Sequence, residues 1–275
     1  MNWDVLIDPL FWTPFITGLL LAVILPILGV LLRLKDEWLA ALGLAHLAGA
    51  SGLVGLAVGI PVVLGAPLGA LAGALIKSFG HFSGNTIYAL MILIGWAATL
   101  LIAANTTLGS VMGHALVEGQ LYFAGETHLV SAYIYAICSI LLLRWMTPVL
   151  VSARLFPGHT FSLHRSVRKW HIGFNLLVAL GMALGTGTLG LMAAFALVFI
   201  PPWVAFRLAS RWQTCLTIST GLGIFSYVVA FAIALVLDQP FGPILVAVLL
   251  TQAILALIFW PAPIRQTKTS TKFQN

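Results

Sequence analysis

Between Gly187 and Arg211 the chain reads GTLGLMAAFALVFIPPWVAFRLASR, and from Leu189 to Phe206 it offers no polar face to water. A helix that is apolar all round is either deeply buried in protein or sits in lipid. Pro201 and Pro202 remove two N–H donors and bend any helix that contains them. Broken helices are tolerated inside a membrane where protein or a water-filled cavity surrounds them. Entered at Gly187 and broken at Pro201–Pro202, the stretch reads either as a hinge in a transport pathway or as a plain packing kink.

Comparable apolar runs recur at 11–32, 39–59, 61–76, 87–104, 128–143, 172–186, 213–237 and 242–260. With 189–206 they make nine candidate spans. A span needs roughly 20 residues, so the runs 61–76 and 172–186 are short, and eight spans would also fit. Only 7% of the residues are charged, far below the roughly 25% of soluble domains. The expected fold is therefore all-α, a polytopic bundle of eight or nine transmembrane helices forming one membrane domain over 1–275.

Charge sets the threading. The cationic residues cluster where segments end: Arg33 and Lys35, Lys77, Arg144 to Lys169, Arg207 and Arg211, and Arg265 to Lys272. If the N-terminus is outside and the C-terminus inside, all 13 Lys and Arg fall on the inner side, as the positive-inside rule requires. Asp4, Asp8, Glu118, Glu126 and Asp238 then fall outside. The net charge of +6 is explained as topological anchoring, and no basic run is long enough for a nucleic-acid face. Cys138 and Cys215 lie in apolar runs and form no disulfide framework.

Catalytic equipment is sparse. The Gly73–Ser78 segment has a Lys-Ser pair but lacks the second glycine of a phosphate-binding loop, so ATP hydrolysis by this chain is not expected. There is no Ser-His-Asp set, His-Glu-x-x-His helix or C-x-x-C pair, and the chain is read as a non-enzyme. His46 lies about seven residues into the second span, roughly 10 Å from its inner start. An ionisable residue there marks an ion or substrate path, or is a neutral histidine bonded to a neighbouring helix.

In the outer loop 105–127, His114 and Glu118 are four apart. With Glu126 and His128 they offer donors suited to zinc-like ions, but two potential ligands do not make a site, and a solvated outer-loop face is the simpler explanation. The inner segment 154–171 reads RLFPGHTFSLHRSVRKWH. It suits docking of a soluble partner, and positive-inside anchoring accounts for its charge as well. Residues 263–275 read as a flexible inner tail. Glycines spaced by four at Gly65, Gly69 and Gly73, at Gly55 and Gly59, and at Gly181 and Gly185 let helix backbones approach closely in lipid.

The C-terminal third resembles the permease subunit of the ABC-3 family of bacterial importers for zinc, manganese or iron. Gly187-Thr-Leu-Gly190, Ile200-Pro201-Pro202, Ala205-x-Arg207 and Asp238-Gln-Pro240-Phe-Gly242-Pro243 carry the resemblance, with Ala45-His46 and Ile60-Pro61 earlier. In order and spacing it covers roughly 11–260. It implies a divalent metal ion as cargo and no permanently bound cofactor. It also implies ATP on a partner ATPase, an extracytoplasmic substrate-binding protein, a permease homodimer and a bacterial inner-membrane location. By the same resemblance Phe156, Pro157, Gly158, His164 and Arg165 dock the ATPase. The metal path passes His46, with His114, Glu118, Glu126 and His128 at the outer entrance.

Three positions depart from the pattern. The acid expected one turn before His46 is Leu42, the outer Phe-Gly-Asp is Glu118-Gly119-Gln120, and the acidic docking contacts are absent after Phe156. These departures keep open a chelated metal or small organic solute as cargo. A non-transporting membrane scaffold is the remaining alternative.

Overall fold

The computed structural model describes residues 8–79, 84–106, 119, 121–155 and 164–259. Among them are nine helices: α1 (Trp12–Leu34), α2 (Trp38–Ala57), α3 (Val62–Phe79), α4 (Asn85–Asn105), α5 (Glu126–Leu155), α6 (His164–Thr188), α7 (Leu191–Leu208), α8 (Trp212–Leu237) and α9 (Phe241–Phe259). All nine contain a stretch long and apolar enough to cross a membrane. The chain folds as an all-α bundle of membrane-spanning helices. The helices extend beyond the apolar runs wherever the flanking residues remain helix-compatible. Thus all but Pro61 of the run 61–76 lies within the 18-residue α3, which continues to Phe79, and 172–186 lies within the 25-residue α6. Residues 164–171 of the inner segment are the start of α6, while 156–163 and the tail 263–275 lie outside the described residues.

Short turns force neighbouring helices to run antiparallel. The α6–α7 turn is Leu189–Gly190, where Gly190 takes φ 94°, a conformation that costs glycine little. Helix α8 ends on Asp238 with φ 51°, and Pro240 cannot continue it. The alternation places Arg33, Lys35, Lys77, Arg168, Arg207 and Arg211 at one end of the bundle. Asp8, Glu126 and Asp238 sit at the other.

Helix α1 is the central post. Leu21, Ile24, Leu25, Leu28, Leu31 and Leu32 are buried against α5, α6, α7 and α8. Two proline–glycine contacts fix its register. Pro26 of α1 has no N–H, which frees the Ala22 carbonyl. Gly223 of α8 packs on that spot, and a Cβ there would lie 2.6 Å from Pro26 Cγ and 2.8 Å from Ala22 O. The converse contact joins α1 to α7. Pro202 frees the Val198 carbonyl, and Gly29 sits against Val198 O with Pro202 Cγ 2.7 Å from where its Cβ would be. In a bilayer interior an unmet carbonyl is expensive, so each glycine brings backbone close to a group that would otherwise face hydrocarbon. Both Pro201 and Pro202 lie inside α7, and the chain breaks instead just after Gly187, at Leu189–Gly190.

The small-residue face of α3 packs on α2. Cβ atoms at Gly69 and Gly73 would reach Ser51 and come within 2.5 Å of Leu47 Cδ1, respectively. The Ser51 hydroxyl donates to Ala66 O at 3.2 Å and accepts from Gly69 N–H at 3.2 Å, sewing the two helices together. At the outer end Phe15, Tyr227, Phe231 and Phe241 form an aromatic cluster. Within it the fully buried Tyr227 hydroxyl donates to Phe15 O at 2.9 Å. Tyr227→Phe should lower stability by about 1 kcal/mol, read as a shift in the thermal midpoint in detergent. An unchanged midpoint would mean that the bond contributes nothing.

Candidate translocation site

Helix α2 is built almost wholly of small residues on its buried side: Ala40, Ala41, Gly43, Ala45, Ala48, Gly49 and Gly52. Its neighbours can therefore come within backbone distance. Helix α4 does so at His46, where a Cβ on Gly95 would lie 2.5 Å from the His46 carbonyl carbon. His46 is 4% exposed, the buried imidazole of the bundle among the described residues. Its Nδ1 lies 2.9 Å from Leu42 O. A carbonyl can only accept, so Nδ1 carries the proton, and in the neutral ring Nε2 keeps its lone pair. A carbonyl accepting from one ring nitrogen is the arrangement that orients metal-binding histidines. The Trp96 ring stands beside it, centroids 5.9 Å apart.

What surrounds His46 matters as much. Leu42 contributes a carbonyl one turn away and no carboxylate. Among the described residues no three His, Cys, Asp or Glu side chains are grouped as a metal would require. Glu126 stands exposed in the first turn of α5 and His128 is half-buried beside it. His114 and Glu118 lie outside the described residues, as do Phe156, Pro157 and Gly158. The backbone of His164 and Arg165 forms the first turn of α6. Thr186 of α6 packs its methyl near Gly49, one turn above His46, and its hydroxyl has no partner among the described residues.

The charged end of the bundle carries a network in which Lys35 and Lys77, topological anchors by their position in the sequence, have specific partners. Glu37, in the α1–α2 turn, pairs with Lys35 at 2.6 Å and with Lys77 of α3 at 3.0 Å. Lys77 also donates to Asn175 Oδ1 of α6 at 3.0 Å, and Asn175 donates to Ser78 Oγ at 3.0 Å. Burial pushes the Glu37 carboxyl up, but the two ammonium groups and their hydrogen bonds pull it further down, below the ordinary carboxylate range. A depressed pKa in the folded state means that its stabilisation is present above the unfolded value, about 4.3, and is lost as pH falls through the folded value. Glu37→Gln should cost about 1–2 kcal/mol at neutral pH, discounted for partial exposure. It should also flatten the acid limb of a melting-temperature profile. A variant with an unaltered profile would show that the pair is screened out.

The family model for the ABC 3 transport family matches residues 8–260. The chain belongs to the ABC 3 transport family. Curated proteins give no match. Among solved structures the chain is similar to PsaBC from Streptococcus pneumoniae in complex with Fab. That match has 14% identity and a TM-score of 0.80, and covers 93% of each chain. It is also similar to a structure described as an inward-facing conformation of a metal-chelate type ABC transporter. Here the identity is 17% and the TM-score 0.62, covering 90% of this chain and 82% of that one. At these identities the likenesses establish a shared fold, that of a multi-pass membrane protein of an ABC transport family.

Proposed function

We propose that this family member is the permease subunit of an ATP-binding cassette importer that moves a divalent metal ion, zinc, manganese or iron, across the bacterial inner membrane. The family match over residues 8–260 carries the reading, and the buried imidazole of His46 supports the cargo. The N-terminus is outside and the C-terminus inside, consistent with the cationic end facing the cytoplasm. ATP is hydrolysed on a partner ATPase that docks on the 154–171 segment, through Phe156, Pro157, Gly158, His164 and Arg165. A substrate-binding protein delivers cargo outside, and two permeases pair. The ion enters past His114, Glu118, Glu126 and His128 and passes His46. The bundle reorients about the break just after Gly187 and about the proline pair Pro201–Pro202 inside α7. No resident cofactor is required.

A second reading is favoured by one observation. Leu42 offers only its carbonyl beside His46, so a bare cation finds a single side-chain ligand there. A chelated metal or small organic solute, which brings its own ligands, needs fewer. Co-purification tests the shared core of both readings: the tagged chain should retain an ATPase whose turnover depends on it. A complex lacking any nucleotide-binding subunit would leave the scaffold reading in place. Competition between free metal and chelate for uptake then separates the two cargoes.

A further inference from the structure

A cavity of about 350 Å³ opens at the cationic end of the bundle, lined by Lys35, Lys77, Ser78, Arg168, His171 and Asn175, with Glu37 and Tyr88 on its wall. Three cationic side chains face one carboxylate, leaving the cavity positive by two charges with His171 neutral. The Lys35 and Lys77 side chains are only 9% and 7% exposed, held by Glu37 and turned from bulk water. Gly84, the residue before α4, also lines the cavity, and no side chain caps that 21-residue helix. Its free N–H groups add partial positive charge on the same side.

The cavity borders an apolar wall. Phe79 and Ile76, on the last turn of α3, are exposed, and the Arg168 guanidinium stands over the Phe79 ring at 5.8 Å. A cation stacked on an exposed aromatic at a helix end, beside outward-facing aliphatic residues, lies at headgroup depth with hydrocarbon next to it.

We propose that this cavity binds the phosphate of an anionic phospholipid, whose acyl chains lie along Ile76 and Phe79. Basic pockets between membrane helices suit such headgroups. Arg168 and His171 supply hydrogen bonds to the phosphate oxygens. Lys35 and Lys77, anchored by Glu37, supply field. The assignment rests on the cavity and not on the cargo, and it holds for whichever leaflet meets the cationic end.

The test uses the full chain in mixed micelles of phosphatidylcholine doped with phosphatidylglycerol, with lipid retention read by native mass spectrometry and stability by thermal unfolding. The wild type should bind phosphatidylglycerol saturably and melt higher with it than in phosphatidylcholine alone. Arg168→Gln should bind about fivefold more weakly, the effect of removing one cationic side chain near an anionic group. Lys169→Gln, which removes the same charge from an adjacent exposed position outside the cavity, should bind as the wild type does. Both are exposed positions on α6, and equal melting in phosphatidylcholine alone reports that both variants fold. Equal weakening in the two variants would overturn the site in favour of general surface attraction. Full stabilisation by inorganic phosphate without phosphatidylglycerol would overturn the lipid assignment.

Discussion

His46→Ala reduces uptake of the cargo metal roughly tenfold or more in vesicles carrying equal amounts of permease, the scale on which metal-site residues act. The expectation follows from geometry. The His46 ring is buried, its Nδ1–H is committed to Leu42 O at 2.9 Å, and Nε2 keeps its lone pair. Alanine removes that donor and leaves no other ionisable side chain in α2, whose remaining residues are alanine, glycine and leucine with Trp38, Ser51 and Val54. His46→Gln, which nearly preserves volume, separates lost chemistry from lost packing. It should restore melting but not uptake. If the cargo is a chelate, uptake of the chelate survives in both variants while free-ion uptake is negligible in the wild type. Unchanged uptake of zinc, manganese and iron alike in His46→Ala would remove this residue from the path.

The second large effect is structural. Gly29→Val should cost about 3 kcal/mol, the upper range for overpacking a core, and should depress the folded yield in detergent. A Cβ at Gly29 falls on Val198 O, and the proline ring beside it at 2.7 Å is covalently fixed. Backbone cannot yield as a side-chain tip does, so α1 and α7 must separate. Separation then exposes the Val198 carbonyl that Pro202 left without its helical donor. Gly223→Val should act in the same direction at the α1–α8 contact, where Ala22 O and Pro26 Cγ are the obstacles. Melting temperatures indistinguishable from wild type in both variants would contradict this account of what holds α1 in register.

The parts of this architecture visible in sequence were those with local signatures. An apolar run marks a span because every residue in it meets the same solvent, and the runs from 11 to 260 correspond to nine helices among the described residues. The four-residue glycine spacing at Gly65, Gly69 and Gly73 announced a close helix contact, and α2 provides it through Ser51 and Leu47. His46 was visible as an imidazole in an apolar run. What its neighbours would be was not. Its nearest partners are its own helix, through Leu42, and a glycine of α4, which carries no chemical mark.

Long-range pairing was illegible for a physical reason. Lys77 bonds Glu37 across 40 residues and Asn175 across 98. Lys77 reads alone as an anchor at a helix end, and Glu37 and Asn175 carry no mark that points to it. Only the bundle's register brings them together. The proline–glycine contacts were hidden in the same way, because Pro202 signals a bend whereas its partner Gly29 belongs to a different helix. Helix ends were also blurred. Apolar counting stops at Arg144, yet α5 continues to Leu155, since long cationic side chains can reach the headgroups while the backbone remains helical.

The most direct test is ATP-driven accumulation of radioactive zinc, manganese or iron by vesicles in which this chain is reconstituted with its co-purified ATPase. The account predicts accumulation of at least one of these metals, free or chelated, that requires ATP, the ATPase and this chain together; accumulation of a free ion falls when His46 is replaced, whereas that of a chelate does not. Equal accumulation in vesicles lacking the chain, or none with all components present and the ATPase active, would contradict it.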